Sequence, residues 1–511
     1  MTVPYMNLYL KKLLKQIKFP GLALLSGLLV IAAFPPFEQG YMAWFALLPL
    51  IAACLHTNPA GGFWAGFIFG LPLTLYTNLY LSHVLFPYLP TSLAAAAMIG
   101  LVVYISLFYG LFGLGAAVAA RTGKAWFTAL ALPSLWLLVE YLRSVSFLAY
   151  NVGYLGYTQW GYPLILNITS VYGYWGLPFL IVFFQTLVLL VAMKKLQSAP
   201  RFIMSAAFLL LLFIGILLPG FMPGQTSDRH LKVSLIQGNS RPQSIVEGDV
   251  ADILELYTGL TKNALEENPD IDLVAWPETV ARLDFSNSRE HSPEIVELGE
   301  EYGVSILYGA RVKEGDRLYN SVALYRGEKE DIPVYHKHRL VPFVEYFPME
   351  QLLNRILDLD LLLGSYSAGE NLTIFRLDDV TLAGAICFES YFGDHTRLFA
   401  AEGINHLFIP TNDAWFGESI GLEQHAQAAA IRAAEMGVGV TQVANSGITI
   451  SFNHRGEELF RSGKNEAAVF TLPLDLNTRD TVYTRYGNYF PVFWALFMAI
   501  AWPVAALRRA T

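Results

Sequence analysis

The sequence predicts a membrane-embedded α-helical bundle of about eight transmembrane helices, with an α/β domain inserted before the last of them. Hydrophobic residues make up 54% of the 511 residues and charged residues only 15%, which is too apolar for one soluble globule. In residues 225–485, by contrast, charges recur regularly and short β-rich runs alternate with helical ones. We therefore expect seven helices in 1–220, the α/β domain in 221–486 and the last helix in 487–511.

Stretches of about 20 apolar residues indicate the transmembrane helices. Seven precede the α/β domain and one follows it: residues 20–34, 41–56, 62–82, 93–120, 125–142, 168–193, 201–219 and 489–507. The first stretch follows a basic segment, as in a signal peptide, but no small-residue cleavage site follows it. We expect it to be a retained anchor.

Basic residues fall on one side of an eight-helix bundle. They are Lys11, Lys12, Lys15, Lys18, Arg121, Lys124, Lys194, Lys195, Arg201, Arg508 and Arg509. The positive-inside rule makes that side cytoplasmic, which places both termini in the cytoplasm and the α/β domain on the opposite, periplasm-like face. The loops on that opposite face would carry Glu38, His83, and Glu140 with Arg143.

Residue patterns within the α/β domain predict its elements in order. Short β-rich runs predict strands at 231–236, 271–276, 303–308, 404–410, 438–443 and 448–452. Amphipathic or alanine-rich patterns predict helices at 250–267 and 421–436. A domain of about 260 residues is large enough for one hydrophobic core.

Three polar motifs lie at the ends of apolar runs in this domain. They are Trp276-Pro277-Glu278-Thr279, the run from Tyr335 to Phe343, and Ile386-Cys387-Phe388-Glu389. Together they supply a carboxylate, an ammonium group and a thiol. A free thiol has a pKa of about 8.5, and a neighbouring lysine would raise its thiolate fraction at neutral pH. With a carboxylate to accept the thiol proton, these are the groups that covalent acyl transfer requires.

Each of these residues also has a structural interpretation. Cys387 alone would more often be an inert buried thiol, Lys337 alone could be a solvated loop charge, and Glu278 could cap a helix after Pro277. Their occurrence together favours catalysis. Cys54 lies in an apolar stretch and is expected to pack within a helix, and both cysteines are expected to be free thiols.

Other ligand classes are not expected. No Cys/His cluster has metal-ligand spacing and no glycine-rich phosphate loop follows a strand, so we expect no metal, nucleotide or other cofactor. A net charge of −8 without a basic block gives no indication of nucleic-acid binding. His425, on the predicted helix 421–436, is expected to be a helix-face histidine and not a ligand.

The order Glu278, Lys337, Cys387 in these contexts resembles the nitrilase, or carbon–nitrogen hydrolase, superfamily. Such a domain after seven spans and before an eighth resembles the apolipoprotein N-acyltransferase family over nearly the whole chain. Further matching motifs are Gln237-Gly238-Asn239, Asn412-Asp413-Ala414-Trp415-Phe416-Gly417 and Asn445-Ser446-Gly447. The resemblance implies an αββα sandwich in which Glu278 is the general base, Lys337 stabilises the oxyanion and Cys387 is the nucleophile.

The resemblance also implies supporting residues. Glu345 would be a second carboxylate near the lysine, and the backbone N–H of Phe388 would complete the oxyanion hole. Glu389 and Trp415 are further candidates for supporting or substrate-pocket roles. Phe388 stands where this family commonly has tyrosine, so no phenol hydroxyl is available at that position.

The implied function is transfer of an acyl chain from a phospholipid, phosphatidylethanolamine by resemblance, to the N-terminal α-amine of a diacylated apolipoprotein. A Cys387 thioester would be the intermediate, in a bacterial inner membrane. A membrane-anchored amidase or nitrilase-type hydrolase of small amides is one alternative. A transporter with an accessory domain is another, although the spans carry few polar residues. The aromatic segment 147–174 suits an interfacial belt or the entrance for an acyl chain.

Overall fold

The structure is a computed structural model that describes residues 18–146, 148–229, 231–240, 250–286, 288–328, 332–346 and 366–507. Five of the basic residues used to orient the bundle lie outside the described residues, namely Lys11, Lys12, Lys15, Arg508 and Arg509. The chain divides into two compact units. The first comprises Met1–Phe221 with Asn488–Thr511, and the second, the α/β domain, comprises Met222–Gly487.

Apolar helices make up the first unit. They are Lys18–Ile31, Ala43–Ala46, Leu48–Leu55, Pro59–Thr77, Leu81–Leu85, Thr91–Arg121, Ala125–Ser144, Pro163–Tyr172, Gly176–Ala192, Ser198–Leu217 and Tyr489–Leu507. Short 3-10 turns occur at Gly40–Met42, Leu155–Gln159 and Leu218–Phe221.

Within the described ranges, four helices are long and apolar enough to cross a membrane: Thr91–Arg121, Ala125–Ser144, Ser198–Phe221 and Tyr489–Ala506. A fifth is added if Pro163–Tyr172 and Gly176–Ala192, which are bent by 109°, form one broken span. The break falls at Gly173, whose φ of +67° is readily adopted by glycine. The expected membrane helices are therefore present; by length and composition, four or five spans qualify among the described residues, and the count of eight stays a prediction.

Glycines bring two of these helices, Pro59–Thr77 and Thr91–Arg121, into close contact. Three of them share one helical face at intervals of four residues: Gly62, Gly66 and Gly70. A Cβ on Gly66 would lie 2.0 Å from the carbonyl oxygen of Tyr109 in the facing helix. Close backbone packing of this kind supports helix association in lipid, where the hydrophobic effect does not drive helices together.

Glu140 and Arg143, expected in a loop, are instead buried within the helix Ala125–Ser144. The Glu140 carboxylate accepts hydrogen bonds from the Tyr174 hydroxyl at 2.9 Å and from the Leu155 N–H at 3.1 Å. The Arg143 guanidinium lies 4.0 Å from the centre of the Tyr154 ring. Tyr154 and Tyr174, two aromatic residues of the segment 147–174, are therefore buried partners of the charged pair.

Thirteen strands and five helices form the described part of the α/β domain. The strands are β1 Leu231–Gln237, β2 Leu273–Ala275, β3 Ala281–Asp284, β4 Ser305–Glu314, β5 Arg317–Tyr325, β6 Val334–His336, β7 Phe375–Leu377, β8 Val380–Gly384, β9 His406–Thr411, β10 Gly439–Ala444, β11 Ile450–Phe452, β12 Glu458–Arg461 and β13 Ala468–Leu474. The helices are Val250–Glu267, Pro293–Tyr302, Gly393–Ala401, Gly421–Met436 and Val482–Tyr486.

These strands form two sheets. The first has the order β13-β1-β2-β4-β5-β6, with β3 also paired to β4, and the second has the order β12-β11-β10-β9-β8-β7. Strand β1 packs against β10 of the other sheet. Helices Val250–Glu267 and Pro293–Tyr302 pack on the first sheet, and Gly421–Met436 packs on the second. The domain is thus layered helix, sheet, sheet, helix.

Side chains of the first sheet alternate between the two faces, as the β period requires. Ile236, Val274 and Ile306 belong to the core shared with the helices. Leu235 and Leu307, one residue away along their strands, are also fully buried. Strands β1, β2 and β4 run parallel, as do β8, β9 and β10. Burial on both faces is typical of parallel strands covered on both sides.

Gly309 in β4 is expected to be intolerant of any side chain. A Cβ there would lie 2.3 Å from the Pro277 carbonyl oxygen and 2.6 Å from the Glu278 Cα, and backbone atoms cannot rotate away. We expect Gly309→Ala to destabilise the domain by about 1–3 kcal/mol, measured as a lower thermal unfolding midpoint in detergent. Gly259→Ala is the control because Gly259 is exposed in a helix and a Cβ there meets open space. Equal midpoints for the two variants would contradict this packing argument.

Candidate active site

The three sequence motifs meet at the carboxyl ends of their strands. Glu278 follows β2, Lys337 follows β6, and Cys387 begins a 3-10 turn, Cys387–Tyr391, just after β8. Glu278 is 9% exposed and Lys337 only 1%. The Lys337 Nζ lies 3.7 Å from the Glu278 Oε1, and the Cys387 thiol interacts electrostatically with both groups. The fold therefore brings together the carboxylate, the ammonium group and the thiol.

A second buried carboxylate shares the lysine. The Lys337 Nζ donates a hydrogen bond to the Glu345 Oε1 at 2.9 Å, which is shorter than its distance to Glu278. The Asn320 side-chain amide donates to both carboxylates, at 2.7 Å to Glu278 and 2.9 Å to Glu345. The Asn412 N–H donates to the Glu278 Oε2 at 2.9 Å. The two carboxylates are thus held by one cation and several neutral donors.

Burial governs the ionisation of these groups. Burial raises the pKa of Glu278, although the charge of Lys337 and two hydrogen bonds oppose that rise. For Lys337, burial would lower the pKa, but the carboxylates of Glu345 and Glu278 raise it above its ordinary value, so the side chain is an ammonium ion. This cation lies 3.7 Å from Glu278 and 2.9 Å from Glu345.

The environment of Cys387 disfavours its thiolate. Burial and the charge of Glu278 raise the pKa of Cys387 well above its ordinary value, and the opposing effect of Lys337 is smaller. Lys337 favours the thiolate, as expected, but burial and the neighbouring carboxylate outweigh it. A reaction at this sulfur needs a base that removes the proton during attack.

Glu389 connects the lysine motif to the cysteine motif. It is fully buried, and its Oε1 accepts hydrogen bonds from the N–H groups of His338 at 2.8 Å and Arg339 at 3.1 Å. Its Oε2 accepts from the Ile386 N–H at 2.7 Å. Burial alone would raise the pKa of Glu389, but His395 and these backbone donors lower it to about 2. Glu389 therefore links the loop after β6 to the turn after β8 through hydrogen bonds.

Phe388 and Trp415 lie beside this cluster. Phe388 is half-buried, and its ring packs edge-on against Phe392 with ring centres 5.1 Å apart. Trp415 is half-buried in the 3-10 turn Asp413–Phe416, which follows β9. That turn begins after Asn412, whose N–H contacts Glu278. Both aromatic side chains are therefore near the cluster, while their roles toward a substrate stay predictions.

Two polar residues at the site were missed or misplaced by sequence reasoning. Asn320 sits within β5 in no recognisable motif, so only the sheet pairing brings it to the carboxylates. His425 does not simply lie on a helix face: its Nε2 is 3.1 Å from the Cys387 carbonyl oxygen. The Cys387 thiol, the Asp413 carboxylate and a His425 ring nitrogen lie within 4.8 Å of one another. By donor type these three could hold a metal ion, but both ring nitrogens already bond to protein groups.

Comparisons with known proteins match both parts of the chain. The apolipoprotein N-acyltransferase N-terminal domain family matches residues 26–187, and the carbon-nitrogen hydrolase family matches residues 232–482. An apolipoprotein N-acyltransferase of Geobacter metallireducens is 30% identical over 503 residues, covering 95% of this chain and 94% of that protein. This chain belongs to the apolipoprotein N-acyltransferase family. The family resemblance drawn from the motifs, and with it the acyltransferase class of enzyme, is confirmed.

Further relatives agree with this membership. The apolipoprotein N-acyltransferase of Vibrio vulnificus is 27% identical over 516 residues, with 96% of this chain and 98% of that protein covered. Among solved structures, an amidase from Nesterenkonia sp. is 16% identical with a TM-score of 0.36, covering 52% of this chain and 97% of that chain. The carbon-nitrogen hydrolase match over 232–482 identifies the α/β domain as nitrilase-like.

Replacing the Glu389 carboxylate should cost stability in a pH-dependent way. Because its folded pKa of about 2 is below its ordinary value of 4.5, the carboxylate stabilises the fold above pH 4.5. That stabilisation is lost as the pH falls toward about 2, and its full size is on the order of 3 kcal/mol. Glu389→Gln should therefore lower the thermal unfolding midpoint at neutral pH, by an amount that shrinks on acidification below pH 4.5.

Glu402→Gln is the matched control for this measurement. Glu402 is exposed in the same domain, so its variant should keep the wild-type midpoint throughout the titration. A midpoint difference for Glu389→Gln that is equally large at neutral and acidic pH would refute the electrostatic explanation.

Proposed function

We propose that this chain transfers a fatty acyl group from a phospholipid to the N-terminal α-amine of a diacylated apolipoprotein, through a thioester on Cys387. The observation that carries the proposal is a thiol at the end of β8 that interacts with a buried carboxylate and a buried ammonium group in the same domain. These groups are a nucleophile, a base and an oxyanion stabiliser. Phosphatidylethanolamine is the proposed donor, and its head group is drawn from the family resemblance.

The first half-reaction forms the thioester. The Cys387 Sγ attacks the ester carbonyl carbon of the phospholipid while the Glu278 carboxylate takes the thiol proton. The carbonyl oxygen becomes an oxyanion, stabilised by the Lys337 ammonium and the backbone N–H of Phe388. The ester C–O bond then breaks, the leaving oxygen takes the proton from Glu278, and lysophospholipid departs.

The second half-reaction forms an amide. The free-base α-amine of the apolipoprotein attacks the thioester carbonyl carbon, and Glu278 accepts a proton from the amine nitrogen. The C–S bond breaks, and the sulfur of Cys387 recovers the proton from Glu278. Since an α-amine has a pKa of about 8, this step should become faster as the pH rises toward that value. Water competes for the thioester, so a water-poor site favours the amine.

The two carboxylates have different proposed roles. Glu345 receives the shorter contact from Lys337, and its Oε2 also accepts the Val341 N–H at 2.8 Å. Glu278 is likewise bonded at both oxygens, so the shorter contact with the lysine is what suits Glu345 to position it. Glu278 makes the longer contact with the lysine and has the larger electrostatic effect on the Cys387 thiol. This difference favours Glu278 as the proton acceptor.

The apolar helices suit a lipid substrate. Moving an acyl chain of about 16 carbons from a bilayer into water would cost on the order of 10 kcal/mol. An enzyme that takes its donor from the membrane avoids that cost. The same argument applies to the acceptor, because a diacylated lipoprotein is itself anchored in the membrane.

Intact-protein mass spectrometry after incubation with phosphatidylethanolamine tests the proposal. Wild-type protein should gain one acyl mass on Cys387 and lose it when a diacylglyceryl-cysteine peptide is added, as the peptide gains the same mass. Cys387→Ala should show no adduct and no peptide acylation. Cys54→Ala should behave as wild type, since Cys54 is buried in the helix Leu48–Leu55 of the other unit.

Two outcomes would count against the proposal. Peptide acylation by Cys387→Ala would remove Cys387 as nucleophile. Release of ammonia from small amides without any phospholipid dependence, together with no adduct, would favour a membrane-anchored hydrolase instead.

We also propose an eight-span topology in a bacterial inner membrane, with the boundaries 1–220, 221–486 and 487–511. Both termini would be cytoplasmic and the catalytic domain periplasmic. The basic residues Arg121 and Lys124, between two long apolar helices, support this orientation.

Alkaline phosphatase fused after Gly224 should be active and a fluorescent protein fused at the C-terminus should fluoresce. An inactive phosphatase fusion with a dark C-terminal fusion would exclude this topology.

A further inference from the structure

A buried acid–histidine pair lies beside the nucleophile and takes no part in the proton transfers described above. Asp413 is fully buried and His425 is 1% exposed. The His425 Nδ1 is 2.8 Å from the Asp413 Oδ1 and 3.1 Å from its Oδ2. The Nε2 is 3.1 Å from the Cys387 carbonyl oxygen and 3.1 Å from the Ser390 Oγ. The ring therefore bridges Asp413 to two residues of the nucleophile turn.

Hydrogen-bond complementarity fixes the protonation of this ring. A carbonyl oxygen can only accept, so the Nε2 bond to Cys387 requires an N–H there. The Asp413 Oδ1 already accepts from the Thr411 hydroxyl and faces Nδ1 as well, so the Nδ1 bond calls for a second N–H. Burial would lower the pKa of His425, but the charge of Asp413 raises it above its ordinary value. The ring is then an imidazolium, and its hydrogen bond to the Cys387 carbonyl is charge-assisted.

The surroundings of the ring agree with this state. The Tyr391 ring stacks on it with centres 5.6 Å apart and planes 14° apart, and the charge of Glu278 also favours the imidazolium. Phe416 lies edge-on, with ring centres 6.4 Å apart. Asp413 is itself fixed, since it accepts from the Thr411 hydroxyl at 2.8 Å.

The nucleophile turn needs such a support. Cys387 has a φ of +48°, in the left-handed region that residues with a side chain seldom adopt. Backbone strain at a functional residue persists only where its surroundings hold it in place. The His425 bonds reach both ends of this turn, at the Cys387 carbonyl and at Ser390. They are placed to hold the turn in the conformation that presents the thiol.

We propose that Asp413 and His425 form a positioning pair that holds the Cys387 turn in its left-handed conformation. His425 acts through the Cys387 backbone and does not touch the substrate, and Asp413 keeps the ring oriented and protonated. The inference rests on the proposed role of Cys387 as the nucleophile. Loss of the pair should slow acylation of the thiol without weakening phospholipid binding.

The test is the single-turnover rate of Cys387 acylation by phosphatidylethanolamine, followed by intact-protein mass spectrometry on the full-length chain in detergent. His425→Leu should lower the maximal rate about 100-fold, because a small misplacement of a reacting group is that costly. The phospholipid concentration that gives half the maximal rate should stay within about threefold of wild type. His425→Gln keeps a donor near the Nε2 position and should retain the rate within about tenfold.

Two further variants separate positioning from general destabilisation. His406→Leu is the matched control, because His406 is fully buried in the same domain and bonds Thr441 away from the nucleophile turn. It should lower the thermal midpoint but keep the acylation rate of the folded protein. Asp413→Asn is nearly isosteric and should slow acylation about tenfold, which keeps the inference testable if His425→Leu does not fold.

Several results would overturn the inference. They are a His425→Leu rate within threefold of wild type, a His425→Gln rate as low as that of His425→Leu, or an equal rate loss in folded His406→Leu. The proposed function would fail separately, through acylation of the peptide by Cys387→Ala. The two failures are therefore distinguishable in the same assay.

Discussion

A single buried ammonium group sustains the candidate active site. Lys337 lies between the carboxylates of Glu278 and Glu345, and all three side chains are almost fully removed from solvent. Lys337 is the cation that both carboxylates contact, and the Asn320 amide and the Asn412 N–H add neutral donors beside it. The loss of any one partner from such a cluster is costly because it leaves the others buried and uncompensated.

The two sheets of the sandwich supply the neutral hydrogen-bond donors to Glu278. Asn320 comes from β5 of the first sheet, and the Asn412 N–H follows β9 of the second sheet, yet both bond to Glu278. The Glu278 carboxylate is therefore oriented by both sheets at once. Glu389 adds a link between the loops after β6 and β8 through three backbone N–H groups. The geometry of the reacting groups thus depends on the packing of the sheets and on few flexible contacts.

The sequence could predict elements with a strong periodic pattern. The helices 250–267 and 421–436 begin and end as predicted, the first from its amphipathic pattern and the second from its alanine content. Strand ends differ by one to several residues, as in β4, which extends to Glu314 beyond the predicted 303–308. The count of eight spans rested on the length of apolar stretches, which does not show where a helix ends. Two of the predicted spans correspond to shorter apolar helices in the described residues, Lys18–Ile31 and Gly40–Leu55.

Site chemistry was predictable only where motifs carried it. Glu278, Lys337 and Cys387 stood in recognisable runs, and the fold brings them together. Asn320 stood alone in an apolar strand, and His425 could be placed on a helix but not against a particular loop, because a one-dimensional pattern does not show which elements meet. The net pKa of the Cys387 thiol could not be predicted for a similar reason, since it depends on burial and on Glu278 as well as on Lys337.

The protonated thiol has a consequence for chemical durability. Oxidants, disulfides and soft metals react with the thiolate and far less with the thiol. A cysteine whose ionisation is suppressed at rest resists sulfenic acid formation and mixed disulfides, even in an oxidising compartment. In the proposed mechanism, Cys387 becomes reactive only while an electrophilic carbonyl is bound and Glu278 can receive the thiol proton. The raised pKa that makes Cys387 a poor nucleophile on its own therefore also protects it from oxidation. The domain has no second cysteine that could repair an oxidised Cys387 by thiol exchange.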